Sequence, residues 1–464
     1  MILNKKYNQP YFYTYFKPMS DSQKANVSPS AIALLPLLLF LLLFLGSGIY
    51  HSYIGTDFAF YQLKAPVAAI PAVILAIVLA KESINEAIEN FLKGASHPNL
   101  ILMCMVFMLA GAFASVSSSI GSVDATVQFG LSLIPSAFIL PMLFVISAFV
   151  ATAMGTSMGT IAACAPIAFG FTQATDLSVP LTIGAVIGGA MFGDNLSMIS
   201  DTTIAATRSQ NVELREKFKV NIWIALPAAI MTVIGYIVMG SAGDSNATIK
   251  DYNLILILPY LLVFFLAFTR LHVLAVLTIG VVASGIIGLL VVPDYDALKM
   301  NTAIYDGFLS LFEVMLLSLF LGGLSAMLQR QGGLDWLLKR IYAMTNLLKV
   351  GKQRAGEIGV SALVIFSNLF VANNTIAIIL SGDMAREVAK EYGLDPKRVA
   401  SLLDIFSCVV QGLIPYGAQI LLACSIAKIS PLSLVDSVMY CWVLAVFAIG
   451  AILLRYPRIK INAN

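Results

Sequence analysis

Residues 192–203, FGDNLSMISDTT, gather two aspartates, an asparagine, two serines and two threonines inside a chain that is otherwise apolar. Asp194, Asn195, Ser197, Ser200, Asp201 and Thr202 offer carboxylate, amide and hydroxyl oxygens. If the stretch is helical, Asp194, Ser197 and Asp201 fall on one stripe, with the two carboxylates two turns, roughly 11 Å, apart. Asp404, Ser407 and Gln411 repeat the spacing much later in the chain. An ionised carboxylate in an apolar medium is costly and persists where a cation, a proton or water compensates it. The chemistry that fits is a shell of oxygens around a hard monovalent cation, with a proton competing for the same carboxylate. Sodium is the candidate ion, at Asp194, Ser197 and Asp404.

Two further polar islands stand out. MGTSMGT (154–160) supplies Thr156, Ser157 and Thr160, and ANNT (372–375) supplies Asn373, Asn374 and Thr375. In QGLIPYGAQ (411–419), Pro415 lies between two glycines and beside Tyr416, which breaks a helix and frees carbonyls. Each group also has a plainer reading. Asp, Asn and Ser serve as helix caps or as polar glue between helices, yet glue rarely needs two acids within eight residues. The glycines of the first island suit close helix packing, and the two asparagines of the second suit a turn. Glu313, a fourth acid placed within the apolar segments, has no polar cluster around it and reads equally well as a functional carboxylate or as a structural ion pair or rim position. His51, His97 and His272 lie at segment ends and read as interfacial. The five cysteines lie singly within apolar segments, as small buried residues and not as metal ligands or disulfides.

The elements that must position these groups follow from composition. With 59% apolar and 11% charged residues, the chain departs from a water-soluble globule, in which about a quarter are charged. Fourteen apolar segments occur, near 31–49, 66–80, 99–116, 135–153, 158–172, 180–205, 220–240, 252–268, 271–292, 307–328, 358–372, 375–389, 399–427 and 432–454. Several reach the roughly 20 residues that cross a hydrocarbon core, and the first reads as a retained helix behind a lysine-bearing tail. Sorting the intervening loops alternately places four of the 28 Lys and Arg residues, Lys64, Lys250, Lys299 and Lys428, on one side and all others opposite. By the positive-inside rule both termini are cytoplasmic. On this count no intramembrane Lys or Arg accompanies the polar motifs.

The chain also repeats its segments and breaks at an offset of about 215 residues. A cytoplasmic tail (1–30), a first transmembrane repeat (31–240), a second repeat (241–455) and a C-terminal tail (456–464) follow. By loop charge the second repeat is inverted. In each repeat two adjoining segments meet at an uncharged polar tip. That suits a re-entrant helical hairpin, because irregular backbone at depth needs protein or a water-filled cavity around it; two full spans give the same loop assignment. The expected fold class is therefore an all-α polytopic membrane protein of two inverted-topology repeats, each with a re-entrant hairpin and a broken transmembrane helix. Such repeats point to a secondary transporter with its site between the halves. No Walker A loop or soluble nucleotide-binding module is present in the sequence. The acidic stripes do not superpose under the repeat, which sends Asp194 to Val409 and Asp404 to Gly189.

The motifs MGTSMGT, FGDNLSMISDTT, ANNTIAIILSG and SLLDIFSCVVQGLIPYGAQ, in this order from about 31 to 455, resemble the NhaC-type sodium/proton antiporter family within the ion transporter superfamily. The resemblance implies a bacterial inner-membrane antiporter that exports sodium against entering protons, with relatives that exchange malate and lactate. It points to Thr156, Ser157, Thr160, Asp194, Asn195, Ser197, Ser200, Asp201, Thr202, Asn373, Asn374, Thr375, Asp404, Ser407, Gln411 and Tyr416 as ion-binding residues. Met158 stands where the family pattern has Trp, and Met198 where it has Pro, so the first broken helix is expected to be less unwound and the site wider.

The reading is an antiporter and not an enzyme. Asp194 is the group shared by sodium and proton, and Asp404 its partner or a second proton carrier. Expected partners are sodium, protons and membrane lipid, with no nucleic acid and no cofactor; a homodimer and a small organic anion are kept as open alternatives. The rival functions are sodium-coupled movement of a small organic acid or amino acid and, from another class, a permanently open channel.

Overall fold

The computed structural model describes residues 28–56, 59–240, 250–269, 271–347 and 350–457. Of the two tails, only 28–30 and 456–457 fall within that range. The first half runs through α1 (Leu35–Tyr53), α2 (Ala65–Val78), α3 (Ile84–Ala95), α4 (Pro98–Ser119), α5 (Ser122–Leu133), α6 (Ile139–Met154), α7 (Ser157–Ala174), α8 (Val179–Leu196), α9 (Asp201–Ser209) and α10 (Leu214–Gly240). The second runs through α11 (Leu258–Ala267), α12 (Val273–Val291), α13 (Ala297–Ser310), α14 (Phe312–Arg330), α15 (Gly333–Leu347), α16 (Lys352–Val371), α17 (Asn374–Tyr392), α18 (Pro396–Gln411), α19 (Ala418–Ala427), α20 (Pro431–Ser437) and α21 (Met439–Leu454).

All fourteen apolar segments carry helix, and the described residues form no strand. Among the described residues seven helical stretches are long and apolar enough to cross a membrane, or up to eight if α19 with α20, bent by 108°, is one broken span and not a re-entrant loop. The outer faces agree: Ile230, Ile234 and Val238 on α10 and Val446, Ile449 and Leu453 on α21 are exposed, an apolar surface that lipid covers. The chain is a multi-pass, all-helical membrane protein. Apolar segments alone did not reveal α3, α5 and α15, which are short and carry polar or charged residues. The start of α3 is set by a capping box, in which Ser83 and Glu86 satisfy each other's backbone N–H groups.

The two halves pack reciprocally. Helix α3 lies on α14 as α13 lies on α4; α2 lies on α14 as α12 lies on α4; α9 lies on α17 as α19 lies on α7. Glycine permits the closest crossings: a Cβ on Gly111 would stand 2.1 Å from Gly307 O, and one on Gly94 2.6 Å from Gly322 O. Small residues let membrane helices touch backbone to backbone, where dispersion replaces a hydrophobic driving force.

Each half contains one hairpin, α6 with α7 and α16 with α17, and each hairpin turns through a left-handed residue, Gly155 (φ 68°) and Ala372 (φ 51°). Each half also contains a broken helix. Helix α8 stops at Leu196 and α9 starts at Asp201; α18 stops at Gln411 and α19 starts at Ala418. The first break forms without the proline of the family pattern. Ser197 is extended, and its hydroxyl donates to Thr152 O (3.0 Å) and accepts from Ile199 N (3.2 Å). The interruption from Ser197 to Ser200 removes the continuous stripe that would have carried Asp194 and Asp201 on one helical face.

Candidate functional site

Both hairpin tips and both breaks converge on one cavity of about 210 Å³. Its wall includes Thr156 and Ser157 of the first tip, Asp194, Ser200, Asp201 and Thr202 around the first break, and Asn373, Asn374 and Thr375 of the second tip. Gln411 and Gln419 line it from either side of the second break, and Asn99 and His272 complete its polar surface. Two carboxylates therefore face the cavity, and His272 is the one basic side chain among its lining residues. A space of this size and polarity accommodates a cation with part of its water shell.

Asp194 is buried at the last turn of α8, and Ser200 Oγ lies 3.5 Å from its Oδ1. Ser200 also shares a hydrogen bond with Thr202 Oγ1 (2.8 Å). Asp201, at the start of α9, is exposed to the cavity mouth. At the second tip Asn373 caps α17 by accepting from Ile376 N (3.0 Å), and Asn374 Oδ1 accepts from Thr375 N (3.0 Å). A chain of amides runs between the tips: Gln419 donates to Ser157 Oγ (3.3 Å), while Gln411 donates to Gln419 Oε1 (2.6 Å) and to Ala372 O (3.1 Å).

Ten of the sixteen residues singled out from the sequence line this cavity, and six do not. Thr160 donates back to Thr156 O (3.0 Å), and Ser407 to Asp404 O (2.9 Å), so both hydroxyls are spent on their own helices. Ser197 is bonded to Thr152 as above. Tyr416 donates to Leu369 O (2.5 Å) and packs edge-on against Phe40. Asn195 and Asp404 turn to a separate buried cluster. Asp404 Oδ2 accepts from Lys217 Nζ (2.7 Å), Asn221 Nδ2 (2.8 Å) and Asn195 Nδ2 (3.2 Å), and Asn195 Oδ1 accepts from Tyr440 OH (3.0 Å).

Lys217 corrects the loop-charge count. It was assigned to a polar loop, yet it is 1% exposed, inside the protein and next to the acidic motif. Arg215 and Lys219 on either side disguise it, and the available signal was its spacing of four from Asn221 on one helix. His272, read as interfacial, is exposed at the start of α12 and also lines the cavity, with its Nδ1 capping the helix by accepting from Leu274 N (3.3 Å). Glu313 pairs with Lys64 (2.8 Å) at the half-exposed rim, one of the two readings the sequence left open. The five cysteines are buried and unbridged, as expected.

A model described as the Na+/H+ antiporter family matches residues 23–241. Over 428 residues the chain is 26% identical to the Na(+)/H(+) antiporter NhaC of Bacillus subtilis, an alignment that covers 86% of this chain and 92% of the relative. It is 23% identical over 412 residues to the Na(+)/H(+) antiporter NhaC of Alkalihalophilus pseudofirmus, covering 80% and 86%. It is also 25% identical over 343 residues to the malate-2H(+)/Na(+)-lactate antiporter of Bacillus subtilis, covering 68% and 72%. By motifs, helical architecture and these likenesses together, the chain is similar to Na+/H+ antiporters, and its first half matches the model of that family.

Proposed function

We propose that the protein is a secondary transporter of the bacterial inner membrane that exchanges sodium for protons by alternating access, with both termini cytoplasmic. The observation that carries this reading is a cavity at two hairpin tips and two helix breaks, lined by Asp194 and Asp201 with no Lys or Arg on its wall. A carboxylate that holds sodium when ionised and a proton when neutral makes the two ions compete, and competition with alternating access is exchange. Ser157, Ser200, Thr156 and Asn374 supply neutral oxygens, and no cofactor is required. Asp201, on the same wall, takes the role of second carboxylate that the sequence had suggested for Asp404. The reciprocal packing of the halves supports a repeat in which one half is inverted in the membrane, so that rocking one against the other exposes the cavity to each side in turn.

The test is a pH-gradient assay in proteoliposomes. Addition of sodium alone dissipates or builds the gradient in the wild type, and Asp194→Asn abolishes the response. A variant that keeps full sodium-driven proton movement overturns the assignment. The volume of the cavity, larger than a bare ion, favours one second reading, exchange of a small organic acid along with sodium. It is read in the same vesicles by adding malate, lactate or amino acids after sodium.

A further inference from the structure

A densely bonded buried ion pair lies outside the cavity. Lys217 and Asp404 are 1% and 0% exposed, and neither lines the cavity wall. An ammonium has three donors, and all three are used: Lys217 Nζ bonds Asp404 Oδ2 (2.7 Å), Thr203 Oγ1 (2.7 Å) and Asn195 O (2.9 Å). These acceptors belong to α18, α9 and the end of α8. One side chain of α10 thus ties both sides of the first break to the broken helix of the other half.

The bond to Asn195 O has a specific cause. A helix end leaves its last carbonyls without intrahelical donors and carries partial negative charge, which a cation satisfies best. Because α8 ends inside the protein, its orphan carbonyls cannot turn to bulk water. Lys217 and Asn221 Nδ2 (2.9 Å) both donate to Asn195 O, and Thr203 Oγ1 donates to Asp194 O (3.4 Å). Asn195 is further held at its own amide by Asp404 and Tyr440. The residue directly after Asp194 is therefore pinned on every polar side-chain atom. Asp194 itself has the Ser200 and Ser157 hydroxyls beside it and faces the cavity.

We infer that Lys217 is a positioning residue and that the Lys217–Asp404 pair is a non-transporting clamp that holds the broken end of α8, and with it Asp194, against the second half. The pair carries no net charge, so Asp194 and Asp201 are left to balance the cargo. The inference rests on the exchange reading of the cavity. It assigns Asp404 a role different from cargo binding, and it makes the charge of the pair dispensable where its geometry is not.

The experiment compares the wild type with Lys217→Met, Asp404→Leu, the double variant Lys217→Met/Asp404→Leu, and the amide pair Lys217→Gln/Asp404→Asn. Removing one partner leaves a buried charge unpaired, so each single variant melts well below the wild type, and both double variants recover most of the loss. In proteoliposomes the amide pair, which keeps the donors without the charge, holds sodium KM and maximal rate within about threefold of wild type. The Met/Leu pair, which frees the α8 end, raises sodium KM about tenfold with the maximal rate kept, the signature of a misplaced ligand. The inference is overturned by a folded amide pair as inactive as Asp194→Asn, by additive melting shifts of the single variants, or by an unchanged KM in the Met/Leu pair. If the wild type shows no sodium-driven proton movement, the exchange reading falls by itself, and the melting cycle still decides whether the clamp is real.

Discussion

Gln419 donates a hydrogen bond to Ser157 Oγ over 3.3 Å, so the second broken helix touches the first hairpin tip across the cavity. Through Gln411 the same chain reaches Ala372 O at the opposite tip. The four groups Ser157, Gln419, Gln411 and Ala372 form one relay between the halves, and displacement of either tip breaks it.

Cutting that relay has a readable consequence. Gln419→Leu keeps the volume but leaves the Gln411 amide and the Ser157 hydroxyl short of a partner, a loss of about 1–3 kcal/mol. The expected outcome is a lower melting temperature and a slower maximal exchange rate, measured in detergent and in proteoliposomes. An unchanged rate would show that the relay does not connect the tips.

The two cavity acids differ in their setting, and their amide variants should differ too. Asp194 is buried and Asp201 is exposed at the mouth. A wetted charge near a cation contributes up to about 1 kcal/mol, or about fivefold in affinity. Asp201→Asn is therefore expected to raise sodium KM by up to about fivefold while exchange continues, in contrast to the complete loss in Asp194→Asn. Sodium titrations of both variants in the same assay separate the roles.

The tips share a backbone conformation but not the residue suited to it. Ala372 adopts φ 51° with a side chain that the left-handed region disfavours, whereas Gly155 at φ 68° has none. Relief of that strain is worth about 1–2 kcal/mol, less the greater freedom of glycine in the unfolded chain. Ala372→Gly should raise the melting temperature slightly. Gly155→Ala should lower it by more, since its Cβ would stand 2.8 Å from Ile199 Cγ1 and 3.0 Å from Ile199 O.

His272 tests the charge balance of the mouth. A fixed positive charge on the same wall as Asp201 weakens cation binding by about 1 kcal/mol or more at partly wetted separations. His272→Lys should raise sodium KM at least about fivefold, while His272→Gln, which adds no charge, should leave it near that of the wild type. Equal KM in the two variants would place His272 away from the ion path.

Much of this architecture is legible in the residues. The fourteen apolar segments, the polar tips at 154–160 and 372–375, and the breaks within 192–203 and 411–419 all reappear as helices, turns and interruptions. Apolar length and turn-forming polarity are local properties, so a one-dimensional reading finds them. The short helices α3, α5 and α15 escaped because their charged and polar faces look like loops until a partner helix covers the other side.

Which oxygens face the cavity was decided by tertiary packing. Asp404, Ser407 and Gln411 share one stripe of α18, yet Gln411 reaches the tips, Ser407 bonds its own helix, and Asp404 meets Lys217. The position that matches Asp404 in the first half is Gly189, where an added Cβ would stand 2.2 Å from Phe144 O, so no carboxylate fits there. By itself the amino-acid sequence determined that the protein lies in a membrane, where its helices run and where its polar groups are concentrated. Only the folded structure decided which acid is neutralised by an internal lysine and which is left for the cargo, because the burial and pairing of a charge depend on helices far apart in the chain.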